Sequence, residues 1–346
     1  MALLYLTQQG SKLRKDQGRF LVDIPEHLPD KENVEVPIRE VENICVFGNI
    51  HLSTSVISSC LYHQIPVVFL SQTGKYKGHL WSAECGQEQI KHIQHDRFSD
   101  DHFQISMAQS IVLGKLWNSR QFLMKLNRRR QLAEVEGAIA GIQKDWLTVN
   151  QLELTTENLD RLRGYEGTAA TRYFGALGQL LKHPEFEFTK RTRRPPTDPV
   201  NSLLSFGYTL LFNNVLSLLR VEGLNPYLGN LHRSDRWEAQ LAFDLMEEFR
   251  SPIVDTLVMQ LINQRVFKKE DFTEPNEKGG VYLQDHARKR FLQGFEQRIM
   301  SLVKHPDSQK RIPYRQVIVL QSRRYRACLQ ADALSEIRYE SFQRVT

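Results

Sequence analysis

Asn225-Pro226-Tyr227-Leu228-Gly229-Asn230-Leu231-His232, followed by Arg236-Trp237-Glu238-Ala239-Gln240-Leu241-Ala242-Phe243-Asp244-Leu245-Met246-Glu247-Glu248-Phe249-Arg250, carries two local signals. Asn-Pro and Gly-Asn mark turns, so the first part reads as a loop. In the second, Trp237, Leu241, Leu245 and Phe249 recur every four residues, which gives a helix an apolar stripe. Asp244 and Glu247 lie one turn apart, so their carboxylates leave neighbouring points of one face. A histidine on a loop facing two acids on the next helix makes a candidate metal site that lacks one further ligand. The helical pattern continues past Pro252 through Leu257, Leu261 and Ile262. Asp255, eleven residues beyond Asp244, returns to the same face of a regular helix.

The missing ligand is sought on other helices. Residues 155–181 read as one, with Thr156 as N-cap and Leu159, Leu162, Ala169, Ala170, Tyr173, Leu177 and Leu180 on its buried side. Glu166 falls on or beside that side, between Gly164 and Gly167. Each glycine inside a helix costs about 1 kcal/mol relative to alanine, so a close backbone or a ligand is expected to compensate. Alone, Glu166 reads as a surface acid. Beside His232, Asp244 and Glu247 it reads as part of the same constellation.

The chain has 346 residues, enough for two domains with real cores. Apolar content of 41% and charged content of 25% fit a soluble globular protein. No apolar run approaches bilayer length, and the start, Met1 to Leu6, lacks the basic lead of a signal peptide. Cys45, Cys60, Cys85 and Cys328 are scattered and read as buried hydrophobes in a reducing cytosol, which places the protein in the cytoplasm.

Positive charge is uneven. Residues 1–100 carry 10 Lys and Arg against 12 Asp and Glu; the remainder carries 36 against 28. Three acid-free clusters hold the excess: Arg120 to Arg130, Lys190-Arg191-Thr192-Arg193-Arg194, and Lys310 to Arg326. One such cluster reads as a solvated face. Three in one domain point to a polyanion, bound in a salt-sensitive way.

Short β-forming runs at 2–7, 19–24, 34–38, 43–48, 65–70 and 75–81, separated by turn residues, predict a small sheet domain. A short helix capped by Ser53 or Thr54 interrupts it. From Glu84 to about Asp101 the pattern fades and polar residues dominate. Helical periodicity then runs through 105–126, 155–181 and 202–220, and through basic helices at 284–303 and 315–330. Residues 183–201 form the longest loop, of one charge sign. The fold class expected is α+β with two domains: a small β-sheet domain, sandwich or roll, at 1–90, and a larger all-α catalytic domain at 100–335.

Arg163-Gly164-Tyr165-Glu166-Gly167, Arg194-Pro195-Pro196-Thr197-Asp198-Pro199-Val200-Asn201, Ser205-Phe206-Gly207-Tyr208, Asn225-Pro226 with Gly229 and His232, and Asp244 to Arg250 together carry a resemblance. In order and interval the chain resembles, over its whole length, the CRISPR-associated integrase family, the universal endonuclease subunit that acquires new spacers. The resemblance implies an N-terminal β-rich domain that forms a homodimer, a helical catalytic domain, and a heterohexamer with a small second adaptation subunit. It also implies a divalent cation on Glu166, His232 and Glu247, with Asp244 assisting. Glu247 stands where the family often has Asp, which leaves the direct ligand open between Asp244 and Glu247. Such oxygen-rich ligation suits Mg²⁺ or Mn²⁺, with the imidazole tilting toward Mn²⁺.

The implied reaction is attack by the 3′-hydroxyl of a short DNA duplex on a phosphodiester at a CRISPR repeat, in prokaryotic antiviral adaptation. Arg163 and Arg250 lie one turn from Glu166 and Glu247 and reach for phosphate oxygens or make ordinary ion pairs. Tyr165 and Tyr208 stack on DNA or pack inside; Arg191, Arg193 and Arg194 meet the backbone. Two rival classes stand beside this one: a general metal-dependent nuclease acting on branched DNA, and a DNA-binding scaffold with a vestigial site.

Overall fold

All six β-forming runs become strands, and two further strands lie among them. The structure, a computed structural model, describes residues 2–25, 34–72, 74, 76–82, 88–155, 157–232, 238–307, 309–331 and 339–344. Thr156, Trp237 and Cys85, assigned roles from the sequence, lie outside the described residues. The chain divides into two compact units, Met1–Gly86 and Gln87–Thr346.

The first unit holds β1 (Ala2–Leu6), β2 (Lys12–Asp16), β3 (Arg19–Asp23), β4 (Val34–Pro37), β5 (Val41–Phe47), β6 (His51–Leu52), α1 (Thr54–Tyr62), β7 (Val67–Leu70) and β8 (Tyr76–Leu80). One sheet runs β1-β5-β7-β8, with β8 antiparallel to β7 and the other pairs parallel. The second runs β4-β3-β2-β6. Leu13, Phe20, Val22, Ile44, Val46, Val56 and Val67 are among the side chains of its buried core. Ser53 caps α1 by accepting from the Val56 N–H at 3.4 Å. Strand β2 escaped the sequence because only Leu13 of its five residues is buried, so its charged face hides the alternation.

The second unit is helical: α2 (Glu88–Phe98), α3 (Asp101–Asn127), α4 (Ala133–Asn150), α5 (Asn158–Gln179), α6 (Pro199–Val221), α7 (Gln240–Met246), α8 (Thr256–Asn263), α9 (Asp285–Ile299) and α10 (Tyr314–Gln330). It is not purely helical, since β9 (Leu302–Lys304) and β10 (Arg311–Pro313) pair as a hairpin where helix was expected to run to residue 303. Helix α2 fills the polar stretch expected to be a boundary; it buries only Ile90 and Gln94. Helix α4 was equally illegible, because its buried apolar residues, Val135, Ile142 and Val149, recur only every seven residues.

Asp198 caps α6, accepting from the Asn201 N–H at 2.8 Å, and Pro199 occupies the first turn, where no N–H is needed. By length and composition α6 is apolar enough to cross a bilayer, contrary to the expectation that no run would be. Most of it is buried inside the protein, as befits a core helix.

The segment that decided the reading is not one helix. After α7 comes a 3₁₀ turn, Glu247–Phe249, then a π-helical turn, Arg250–Asp255, before α8. Pro252 lacks the N–H that a regular helix would use here, and its ring would clash with the preceding turn. The carbonyl four residues back, that of Glu248, accepts from Asn118 Nδ2 at 2.8 Å, and side chains also serve the turn's own carbonyls: Thr256 Oγ1 donates to Ser251 at 2.8 Å and Arg298 Nε to Pro252 at 3.0 Å. Such irregular turns often sit at functional sites.

Candidate active site

The His232 loop is built from the backbone up. Gln94 of α2 acts as a surrogate peptide, donating to the Asn225 carbonyl at 2.9 Å and accepting from its N–H at 2.8 Å. The Leu241 N–H bonds the Pro226 carbonyl at 2.9 Å. A Cβ on Gly229 would lie 2.6 Å from Gln240 Cβ, so only glycine lets the loop approach α7 this closely. Asp244, fully buried, then takes the loop in one carboxylate. Its Oδ2 accepts from the N–H groups of Asn230 (2.5 Å) and Leu231 (3.0 Å), and its Oδ1 from the His232 N–H (3.0 Å). The His232 Nδ1 lies 2.7 Å from the same Oδ1. Arg163 Nε donates to the Leu231 carbonyl at 2.9 Å and closes the far side.

With Nδ1 turned onto Asp244, the other ring nitrogen of His232 faces Glu247, with Nε2 3.7 Å from Oε1. Glu247 is buried beneath two cationic side chains and an imidazole. Arg250 Nη2 meets Oε1 at 2.9 Å and Lys115 Nζ meets Oε2 at 2.7 Å. Burial alone would raise this carboxyl, but Arg250, Lys115 and His232 bring it down to about 2, so it is ionised at neutral pH. The same Lys115 ammonium pairs with Glu166 of α5. Glu166 thus reaches the group through Lys115. Among the described residues, no three His, Cys, Asp or Glu side chains converge tightly enough to share one ion.

Burial pulls the His232 imidazole down, yet the hydrogen bond and charge of Asp244, with Glu247 adding, leave its pKa raised above 6.5. A raised folded-state value means stability fully present below the unfolded-state pKa and lost as pH rises through the folded one. The stability difference between wild type and His232→Ala is therefore expected to be larger at about pH 5.5 than at about pH 9. Denaturant unfolding at the two pH values measures it; equal differences would rule out a charged pair here.

Asp255 does not join His232 and Glu247. The 3₁₀ and π turns break the regular period, and Asp255 instead accepts from the hydroxyls of Tyr208 (2.5 Å) and Tyr173 (2.7 Å). Tyr208 is buried, with the Arg250 guanidinium 4.9 Å from its ring centre and that of Arg191 5.4 Å away. Its ring is therefore packed inside and is not offered to DNA. Arg191 is likewise engaged, donating to Asn201 Oδ1 at 2.8 Å and Ser205 Oγ at 2.9 Å, while Arg193 and Arg194 are exposed. Tyr165 is half-buried on α5. Arg163 and Arg250 serve the loop and Glu247 respectively rather than standing free. No neighbouring backbone closes on Gly164 or Gly167: among the described residues, nothing lies within 4 Å of a Cβ on either.

Glu248 points the opposite way from Glu247 and secures the turn. Its buried carboxylate accepts from Tyr339 Oη, the Phe342 N–H and, at 3.1 Å, Gln321 Nε2. Burial raises it to about 7 against these donors. Asn118 of α3 donates to the carbonyls of Glu248 (2.8 Å) and Phe342 (2.7 Å) and accepts from the Arg344 N–H at 2.8 Å. Segment 339–344 is thereby bound to the back of the site.

Lys115 was missed by sequence reasoning. Its only signal is a lone charge in the apolar run Ile111-Val112-Leu113-Gly114-Lys115-Leu116. The basic clusters also sort differently in space. In the third, Arg315 pairs with Glu296 through two 2.9 Å bonds, Arg323 with Glu222 at 2.9 Å, and Arg324 with Asp307. Acids remote in sequence thus pair with three of its six basic residues, Arg315, Arg323 and Arg324. In the first, Arg128, Arg129 and Arg130 are exposed at the end of α3.

A strand-rich unit ahead of a helical one, with a histidine loop clamped to an acidic turn, belongs among the CRISPR-associated proteins: residues 4–297 match the family model described as CRISPR associated protein Cas1. The chain belongs to the Cas1 family. It is 37% identical over 326 residues to a CRISPR-associated endonuclease Cas1 of Thermus thermophilus, covering 94% of this chain and 95% of that one. It is 33% identical over 336 residues to a second, from Rhodospirillum rubrum, covering 95% of each. Among solved structures, a chain of a Cas6-RT-Cas1–Cas2 complex superposes over 100% of this chain with a TM-score of 0.82 and 25% identity; the match spans 36% of that longer chain.

Proposed function

We propose that the protein is a divalent-metal-dependent DNA endonuclease and integrase that inserts short duplexes into a CRISPR repeat array by 3′-hydroxyl attack on a phosphodiester. The observation that carries this is the pair of carboxylates, Glu166 and Glu247, held around one positive charge beside the free edge of His232. A position already taken by an ammonium fits a cation, and two carboxylates with one imidazole suit Mg²⁺ or Mn²⁺. Glu166, His232 and Glu247 would hold the ion. Asp244 would not, since its two oxygens are occupied by three backbone N–H groups and the imidazole. When bound, such an ion lowers the pKa of an attacking hydroxyl and offsets charge on the phosphate.

The chain's own groups do the rest. Asp244 fixes which nitrogen of His232 faces the site, as a carboxylate behind a metal-binding histidine commonly does. Arg250, stacked on Tyr208 and paired with Glu247, keeps that carboxylate aimed and ionised. Open space at Gly164 and Gly167 leaves the surface of α5 beside Glu166 accessible to a substrate backbone. Transfer of labelled duplex into a repeat-bearing plasmid, with a Cas2-type subunit present and Mn²⁺ titrated, tests the proposal. Activity that is unchanged by chelation would overturn it.

DNA is the proposed substrate, and the solved Cas6-RT-Cas1–Cas2 complex supports a Cas2-type second subunit; a heterohexamer with that subunit is part of the same proposal. A homodimer through the strand-rich unit is part of the same proposal; a monomer mass by sedimentation at micromolar concentration would refute it. Duplex binding is expected to be sequence-independent and salt-sensitive, each neutralised phosphate adding about 0.9 to the slope of log affinity against log salt. Replacing exposed Arg193 and Arg194 with alanine should lower that slope. Replacing Arg315 and Arg323, already paired with acids, should leave it. Equal effects from both pairs would dissolve the distinction.

A further inference from the structure

Glu166 and Glu247 come from separate elements, α5 and the turn after α7, and Lys115 of α3 joins them. Its side chain is 11% exposed; those of Glu166 and Glu247 are 22% and 1% exposed. The contacts on Glu247 are divided. Oε1 meets Arg250 and His232, whereas Oε2 meets Lys115. The ammonium therefore holds one oxygen from each carboxylate, Glu166 Oε1 and Glu247 Oε2, in the position a bridging cation would take.

We infer that Lys115 is a built-in counter-cation, which occupies the metal-free site and leaves it when a divalent ion enters, and so sets the affinity of the site for metal. This rests on the metal-site reading above. Two carboxylates brought together in a poorly solvated place repel, and one positive charge between them relieves that. A divalent ion and an ammonium on the same oxygens repel in turn, so the two occupy the site in alternation. Lysine suits the part. Its charge is compact and rides on a flexible four-carbon stem, whereas a guanidinium fork is wider and stiffer. Beside Lys115 lies a cavity of about 20 Å³, the size of one water, whose polar lining is Glu166, Ser119, Tyr208, Arg250 and Asp255 and whose remaining lining is mostly apolar; the displaced ammonium would leave Glu247 by way of this space.

The test uses the full chain and Mn²⁺ alone as the probe. Free Mn²⁺ is followed by electron paramagnetic resonance, and melting is followed with and without the ion. Lys115→Met is expected to bind Mn²⁺ about tenfold more tightly than wild type. It should also melt lower without metal and gain more from adding it. Lys115→Arg, which keeps the charge, should bind no more tightly than wild type. If Lys115→Met melts too low to isolate, Lys115→Gln, neutral but able to bond both carboxylates, carries the same comparison. Unchanged or weaker Mn²⁺ affinity in the neutral variants, with Glu247→Ala unable to bind, overturns the inference and spares the metal site. Equal Mn²⁺ binding by wild type and Glu247→Ala overturns both.

Discussion

Glu247→Ala is expected to leave strand transfer at background, at least about 10³-fold below wild type, since groups that act as a unit do not contribute additively. Among the described residues, Glu247 is the one acid in contact with Lys115, Arg250 and His232 together. Its removal strips a proposed ligand and strands buried positive charge, a combination that also costs about 3–5 kcal/mol of stability. Glu247→Gln keeps the shape of the turn and an acceptor oxygen while removing the charge, so it should lose less stability than Glu247→Ala yet stay inactive. Glu166→Ala should lose transfer to a similar degree, while both variants still bind duplex DNA through exposed arginines. Wild-type rates for Glu247→Gln in the plasmid integration assay would remove Glu247 from the chemistry.

Asp244→Ala should have the largest effect on the fold of the site. One carboxylate accepts from three buried backbone N–H groups and the imidazole, and each orphaned donor costs about 1–3 kcal/mol. A loss on the order of 4 kcal/mol or more, read from denaturant unfolding, is therefore expected, well beyond an ordinary substitution. The activity pattern should differ from that of Glu247. Because Asp244 orients a ligand rather than being one, Asp244→Asn should lose about 10–100-fold and regain part of it at high Mn²⁺. Rescue of Glu247→Ala by Mn²⁺, and not of Asp244→Asn, would exchange the two roles.

What could be read from residue order was what short-range physics dictates. Short runs rich in β-formers, separated by turn residues, located β1, β3, β4, β5, β7 and β8. Turn residues located the His232 loop, and residue type singled out Asp244 and Glu247 beside it. The limits were equally physical. Uniform helical spacing carried Asp255 to the wrong partners, because Pro252 and the tight turns around it reset the register. Nothing local in α3 tells that Lys115 meets acids 51 and 132 positions away. The third basic cluster looked unopposed for the same reason, its counter-charges lying on Glu222, Glu296 and Asp307. Tertiary neighbours, invisible to periodicity, decide whether a charge is a binding surface or an internal brace.

The hold of Asn118 and Glu248 on residues 339–344 has a bearing on biosynthesis. Ribosomes deliver Lys115, Glu166, His232 and Glu247 long before Tyr339 and Phe342, whose donors satisfy the Glu248 carboxylate. A nascent chain halted short of Tyr339 would possess every proposed ligand, yet the turn bearing Glu247 would have a buried acid lacking two of its three donors. Completion of the proposed centre thus waits on residues 339–344. Products that stop before Tyr339 would carry the exposed Arg193 and Arg194 but not the secured turn that bears Glu247.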